Sequence, residues 1–260
     1  MQTQAGDAGA FRQFDLSRVP SPCFVVDEVA VERNLAILRD VADQSGAQIL
    51  SALKAFSMFS LAPLVRRYLS GTCASGLYEA QLAREEYGGT VVTYCAGYKS
   101  SEIDQITALS DHLIFNSPAQ KDRFLPRVQT SGRPVHVGLR INPEHSEGEI
   151  AKYDPCAAGS RLGTPISQLD RAALAGVDGL HMHTLCEQGF EPLARTWAAI
   201  EDRITPYLGQ LKWLNFGGGH HITRSDYDRE ALIAFISDLR ARTGLQIYLE
   251  PGEAVALDAG

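Results

Sequence analysis

Short apolar and β-branched runs recur eight times along the chain, separated mostly by stretches of helical patterning, and this alternation constrains the fold more than any other feature. The runs cover residues 48–53, 71–74, 91–95, 112–115, 135–141, 177–182, 211–216 and 246–250. Helices are expected over 61–68, 78–87, 118–128, 191–204 and 229–240. Ahead of the first run, residues 20–26 read as a short extended segment. Asp27 comes next as the N-cap of an amphipathic helix, with Val31, Leu35, Leu38 and Ala42 on one stripe and Glu32, Arg33, Arg39 and Asp43 off it.

Such alternation fits an open doubly wound sheet as well as a closed barrel. The residues at the end of each run argue for the barrel, where chemistry collects at the C-terminal ends of the strands. Lys54 follows the first run, Ser75 the second and Asn116 the fourth. The fifth ends in Arg140, Ile141 and Asn142. His183 follows the sixth, Gly217, Gly218 and Gly219 the seventh, and Glu250, Pro251 and Gly252 close the eighth. The expected fold is therefore an α/β protein with a (β/α)8 TIM-type barrel, and 260 residues suit one such domain, about 250 being typical.

With 24 basic against 31 acidic residues and a formal charge of -7, neither nucleic acid nor an anionic membrane is an expected partner. No stretch approaches the roughly 18 apolar residues of a membrane span. The opening MQTQAGDAGAFRQF lacks the basic start and apolar core of a signal peptide, so a cytoplasmic location is expected. Cys23, Cys73, Cys95, Cys156 and Cys186 include no C-x-x-C pair, which fits a reducing compartment.

Lys54, in SALKAF, is expected at the end of a strand buried on both faces. Desolvation there would lower its pKa and supply the neutral amine that forms an imine with an aldehyde cofactor; a lysine snorkelling to the rim is the plain alternative. The triplet Gly217 to Gly219 lets the backbone approach an anion closely, after the strand where barrels often bind phosphate, though a flexible turn would look the same. Glu250, in EPGEA, would keep a pyridine nitrogen protonated; pairing with Arg140 is compatible with that role. His181 and His183 share one strand face. With His220 and His221 they raise the competing possibility of a metal-dependent hydrolase, but no third and fourth ligand stand out. No metal is therefore expected. His183 is the choice for a ring-stacking residue, and His181 is assigned to the core.

These residues in this order, with the segments LCEQ, FGGGHHIT and EPGEAVAL, resemble the fold type III pyridoxal 5'-phosphate-dependent decarboxylases, and among them the carboxynorspermidine/carboxyspermidine branch. The resemblance runs from about Pro22 to the end of the chain and implies that Lys54 forms a Schiff base with pyridoxal phosphate while His183 stacks on the ring. It further implies that Glu250, supported by Arg140, meets the pyridine nitrogen, and that Gly217, Gly218 and Gly219 bind the phosphate. Ser75, Gly252 and the Ser160-Arg161 pair match positions near the cofactor or the rim. A carboxylated polyamine is the implied substrate and norspermidine or spermidine the product. Where many relatives have a phosphate-binding serine and an arginine, this chain has Cys186-Glu187 and Glu253, and the two glutamates are candidates for binding a cationic substrate. Diaminopimelate or another basic amino acid is the near alternative substrate, and a non-catalytic cofactor-binding barrel the more distant one.

The resemblance also implies a homodimer whose C-terminal β domain, absent from this chain, completes the partner's site. Residues 1–26 are then a tail and strand that would pair with that domain, and 27–260 the barrel. The chain alone is expected to bind cofactor but decarboxylate poorly.

Overall fold

A computed structural model describes residues 11, 13–148, 150 and 152–260, so the first ten residues of the expected N-terminal tail and positions 12, 149 and 151 lie outside it. Among the described residues nine parallel strands form: β1 (Gln48–Ala52), β2 (Gly71–Ala74), β3 (Thr90–Tyr94), β4 (His112–Phe115), β5 (His136–Asn142), β6 (Thr164–Pro165), β7 (Gly179–His181), β8 (Trp213–Asn215) and β9 (Gln246–Leu249). Eight of them close into a ring, β1 pairing with β9, while β6 only extends the end of β5. The eight expected runs all become barrel strands, each within two residues of its expected ends.

The helices form the outer layer: α1 (Glu28–Ser45), α2 (Ala62–Tyr68), α3 (Leu77–Leu82), α4 (Ile103–Leu109), α5 (Pro118–Gln129), α6 (Phe190–Leu208), α7 (Arg229–Thr243) and α8 (Glu253–Ala256). Asp27 caps α1 as expected, its carboxylate accepting from the amides of Val29 and Ala30 at 3.0 and 3.3 Å. Val31, Leu35 and Leu38 are then fully buried, each such side chain contributing about 1.5–3 kcal/mol. The helix expected over 78–87 divides into α3 and a π-helical turn at Ala83–Tyr87, and α4 and α8 add to the helices named from the sequence. Residues 20–26 form no strand among the described residues; Phe24 is 96% exposed, and the Asp27 amide donates to the Ala259 carbonyl at 2.7 Å.

Alternate residues of each strand line the barrel interior. At the floor, Leu50, Val92, Ile114 and Trp213 pack together against Cys73, Tyr94 and Tyr248. Trp213 fits because its neighbours on β5 and β7 are glycines. A Cβ on Gly138 would stand 2.5 Å from the indole, and one on Gly179 only 2.0 Å. Two residues further along the same strands, the same parity delivers Arg140, His181 and Asn215, and β9 continues from Tyr248 to Glu250. Among the described residues no helix is long and apolar enough to cross a membrane.

Candidate active site

Glu250, just past β9, is the centre of the mouth. It is buried, and each of its oxygens meets a different donor: Asn215 Nδ2 lies 2.7 Å from Oε1, and His181 Nε2 lies 3.4 Å from Oε2. Burial works against the carboxylate, but His181, Asn215 and nearby His183 outweigh it and hold its pKa at about 2. The group is therefore ionised at neutral pH. Its backbone amide donates to the Gly217 carbonyl at 2.7 Å, tying β9 to the glycine turn.

His183 follows β7, and its Nδ1 accepts from the Gly218 amide at 3.1 Å. Burial, with Lys54 and Arg140 nearby, pushes its pKa well below the ordinary value and leaves a neutral imidazole. Gly217 and Gly219 have φ of 66° and 83°, in the left-handed region that favours glycine. A Cβ on Gly218 would also meet the Glu250 carbonyl at 2.6 Å. Here the expectation for the triplet needs correction. The Gly217 amide is taken by Asn215 Oδ1 at 2.8 Å and the Gly218 amide by His183, so those N–H groups are not free for an anion. Among the described residues the amides of Gly219 and His220 have no acceptor.

Two further expectations change. Lys54 is exposed, because the chain turns over residues 53–55 and carries it out of the strand. Lys54 nonetheless lies close enough to act electrostatically on His181, His183 and Cys73. Arg140 is buried but forms no ion pair with Glu250; it lies 4.7 Å above the Tyr94 ring and donates from Nη2 to the His183 carbonyl at 3.2 Å. The reason is register. Arg140 pairs laterally with His181, so His181 stands between the two groups in the strand order.

Ser75 is exposed, with its hydroxyl and amide both turned to the Glu79 carboxylate. Gly252 packs closely on β1: a Cβ there would stand 2.5 Å from the Ala55 side chain. Asn116 and Arg161 are joined at the rim, Asn116 Nδ2 donating to the Arg161 carbonyl at 2.9 Å. Three residues carry more than the sequence showed. Asn215 holds both Glu250 and the glycine turn, Tyr94 stacks on His181, and Cys73 places a half-buried thiol near Glu250 and Lys54. The signal for all three was parity, since each lies on the interior face of its strand.

The four histidines of the mouth have separate partners: His181 with Glu250, His183 with Gly218, His220 with the Phe216 carbonyl at 3.5 Å, and His221 with Glu253 at 3.0 Å. Among the described residues no three His, Cys, Asp or Glu side chains are placed to hold a metal ion.

Beside the mouth lies a cavity of about 870 Å³, with Cys186, Glu187 and Glu253 in its wall. Asp154 and Asp258 bring its carboxylates to four, against the guanidinium groups of Arg33 and Arg224. Glu187 adopts φ 55°, an unusual conformation for a residue with a side chain. Arg224 Nη1 donates to the Glu187 carbonyl at 3.4 Å.

Comparison with known proteins accords with this arrangement. No family model matches the chain. It is 38% identical over 243 residues to a carboxynorspermidine/carboxyspermidine decarboxylase from Campylobacter jejuni, covering 94% of this chain and 63% of that protein. It is 39% identical over 246 residues to a carboxyaminopropylagmatine decarboxylase from Synechocystis, with the same coverage of 94% and 63%. The chain thus spans a little under two thirds of these relatives. The crystal structure of carboxynorspermidine decarboxylase from Campylobacter jejuni, complexed with norspermidine, superposes with a TM-score of 0.81 at 38% identity, covering 91% of this chain and 61% of that one. Diaminopimelate decarboxylase from Helicobacter pylori shares the fold, with a TM-score of 0.75 at 20% identity, covering 92% of this chain and 65% of that one.

Proposed function

We propose that this chain forms the pyridoxal 5'-phosphate- and substrate-binding barrel of a decarboxylase that converts carboxynorspermidine or carboxyspermidine to norspermidine or spermidine. The observation that carries this reading is the buried, ionised Glu250, held by His181 and Asn215 on the same rim as Lys54 and His183. The similarity to decarboxylases of carboxylated polyamines supports the substrate class.

The residues present suit the cofactor. Lys54 stands open at the mouth, where an aldehyde can reach its amine. The glycines at 217–219 and 252 let the turn press against neighbouring protein atoms where a Cβ would clash, and among the described residues the amides of Gly219 and His220 are donors without an acceptor. Arg140 Nε is a further buried donor without a partner. When bound, pyridoxal phosphate supplies an electron sink for the bond to the departing carboxylate. Glu250 holds a proton at the ring nitrogen, which strengthens that sink. His183, kept neutral, offers a flat ring without a competing charge. The cavity carboxylates, Glu187 and Glu253 among them, attract the cationic amines of the substrate and exclude anions of similar length. A homodimer belongs to this reading through the resemblance.

Incubation with pyridoxal phosphate, borohydride reduction and peptide mapping should place the cofactor on Lys54; an unmodified lysine would remove the reading. Product analysis with carboxynorspermidine, carboxyspermidine and diaminopimelate then identifies the substrate. Glu187→Gln and Glu253→Gln should each raise KM for the polyamine several-fold with little change in kcat. Unchanged KM values would end their role.

A further inference from the structure

His181 is a buried titratable group at the mouth to which the function just proposed gives no task beyond its contact with Glu250. It is 1% exposed, its ring is stacked on Tyr94 with centroids 5.4 Å apart and 23° between planes, and its Nε2 makes a long 3.4 Å contact with Glu250 Oε2. Tyr94 is itself fixed, its hydroxyl donating to Asn116 Oδ1 at 2.7 Å.

Every neighbouring element contributes a polar group. Lys54 follows β1, Cys73 lies on β2, Tyr94 on β3 and Arg140 on β5; His183 follows β7, Asn215 ends β8 and Glu250 follows β9. The Arg140 guanidinium is turned to Tyr94 and to the His183 carbonyl. Burial first, then Arg140 and Lys54, disfavour a proton on His181, while Glu250 pulls the other way without prevailing. The imidazole therefore meets Glu250 as an uncharged N–H donor, and the Asn215 amide is the second. A carboxylate paired with a guanidinium has its charge already answered. One held by neutral donors keeps that charge for another cation.

We propose that His181 is a positioning residue: stacked on Tyr94, it holds Glu250 with an uncharged N–H, leaving the carboxylate's charge to keep a proton on the ring nitrogen of the cofactor. The inference rests on the pyridoxal phosphate reading above.

The test compares binding of pyridoxal phosphate with that of its 1-deaza analogue, in which a CH replaces the ring nitrogen, by equilibrium dialysis. Wild type, His181→Leu and His181→Gln are measured, with thermal melting to confirm folding. His181→Leu should weaken binding of pyridoxal phosphate about tenfold, or about 1.4 kcal/mol, and leave the analogue unaffected. His181→Gln, which retains a neutral N–H, should stay within about twofold of wild type for both ligands. If His181→Leu does not fold, Tyr94→Leu, which removes the stack, decides by the same selective loss. Equal losses for both ligands, or none for either, overturn the inference and leave the cofactor reading standing. A wild type that binds neither ligand removes both.

Discussion

The floor and the mouth of the barrel both bury histidine, and they treat it in opposite ways. At the floor, His112 sits among His136, Trp213 and Tyr248 with ring centroids 5.0 to 5.1 Å away, and its Nδ1 has no partner. Burial, assisted by His136, pushes its pKa down to about 4. At the mouth, His181 is as deeply buried and its Nδ1 is likewise without a partner, but its Nε2 faces a carboxylate, and the carboxylate has a second donor in Asn215. A buried polar group without partners is a cost that good packing tolerates. One set in a chain of partners has its protonation state defined. Burial alone therefore does not locate chemistry in this barrel, whereas paired burial does.

The largest expected effect breaks the comparison from the mouth side. Lys54→Ala should abolish the borohydride-stable attachment of pyridoxal phosphate, read by mass spectrometry. Because Lys54 is exposed, the stability of the variant measured by urea unfolding should change by no more than about 0.5 kcal/mol. Gly179→Val makes the converse change at the floor. The added side chain begins 2.0 Å from the Trp213 indole, and overpacking of that kind costs about 1–3 kcal/mol or more. Chemical denaturation should show the loss, while the cofactor still attaches to Lys54 below the transition. A midpoint equal to that of wild type would mean that the floor is not tightly packed.

The two regions were also unequally legible in the sequence. Strands buried on both faces announce themselves as apolar runs, so all eight are visible there, and the parity of His181 and His183 follows from strand geometry alone. The partners of interior groups are not announced. Whether Glu250 meets Arg140 or His181 depends on strand order and register around a closed ring, which bring together residues far apart in the chain. The expectation that Lys54 is buried fails for a smaller reason: a turn at 53–55 ends the strand one residue early and lifts the side chain into the open. The glycine triplet is recognisable as a close-approach turn, but the amides of Gly217 and Gly218 serve Asn215 and His183, an internal use that composition does not reveal.

Glu250→Gln sharpens the comparison through pH. The folded pKa of about 2 lies below the ordinary 4.5. The ionised group thus contributes stability that is fully present above 4.5 and is lost as pH falls through 2. Wild type should lose on the order of 2 kcal/mol relative to Glu250→Gln between pH 5 and pH 3, compared by urea midpoints. Parallel profiles would show that Glu250 is not held by its neighbours as described.

His112→Phe should produce the smallest change, and one of the opposite sign. The folded pKa of about 4 lies below the ordinary 6.5. As pH falls from 6.5 towards 4, the unfolded chain takes up a proton that the folded floor refuses, and wild type loses stability over that window. Phenylalanine has no proton to take up and leaves no orphaned Nδ1 among the rings. The variant should therefore be more stable than wild type by about 1 kcal/mol at pH 7.5, and by about 1 kcal/mol more at pH 5.5. Thermal melts at the two pH values measure both the gain and its growth. A variant less stable than wild type at both would show that His112 makes a favourable polar contact, and the floor would then resemble the mouth.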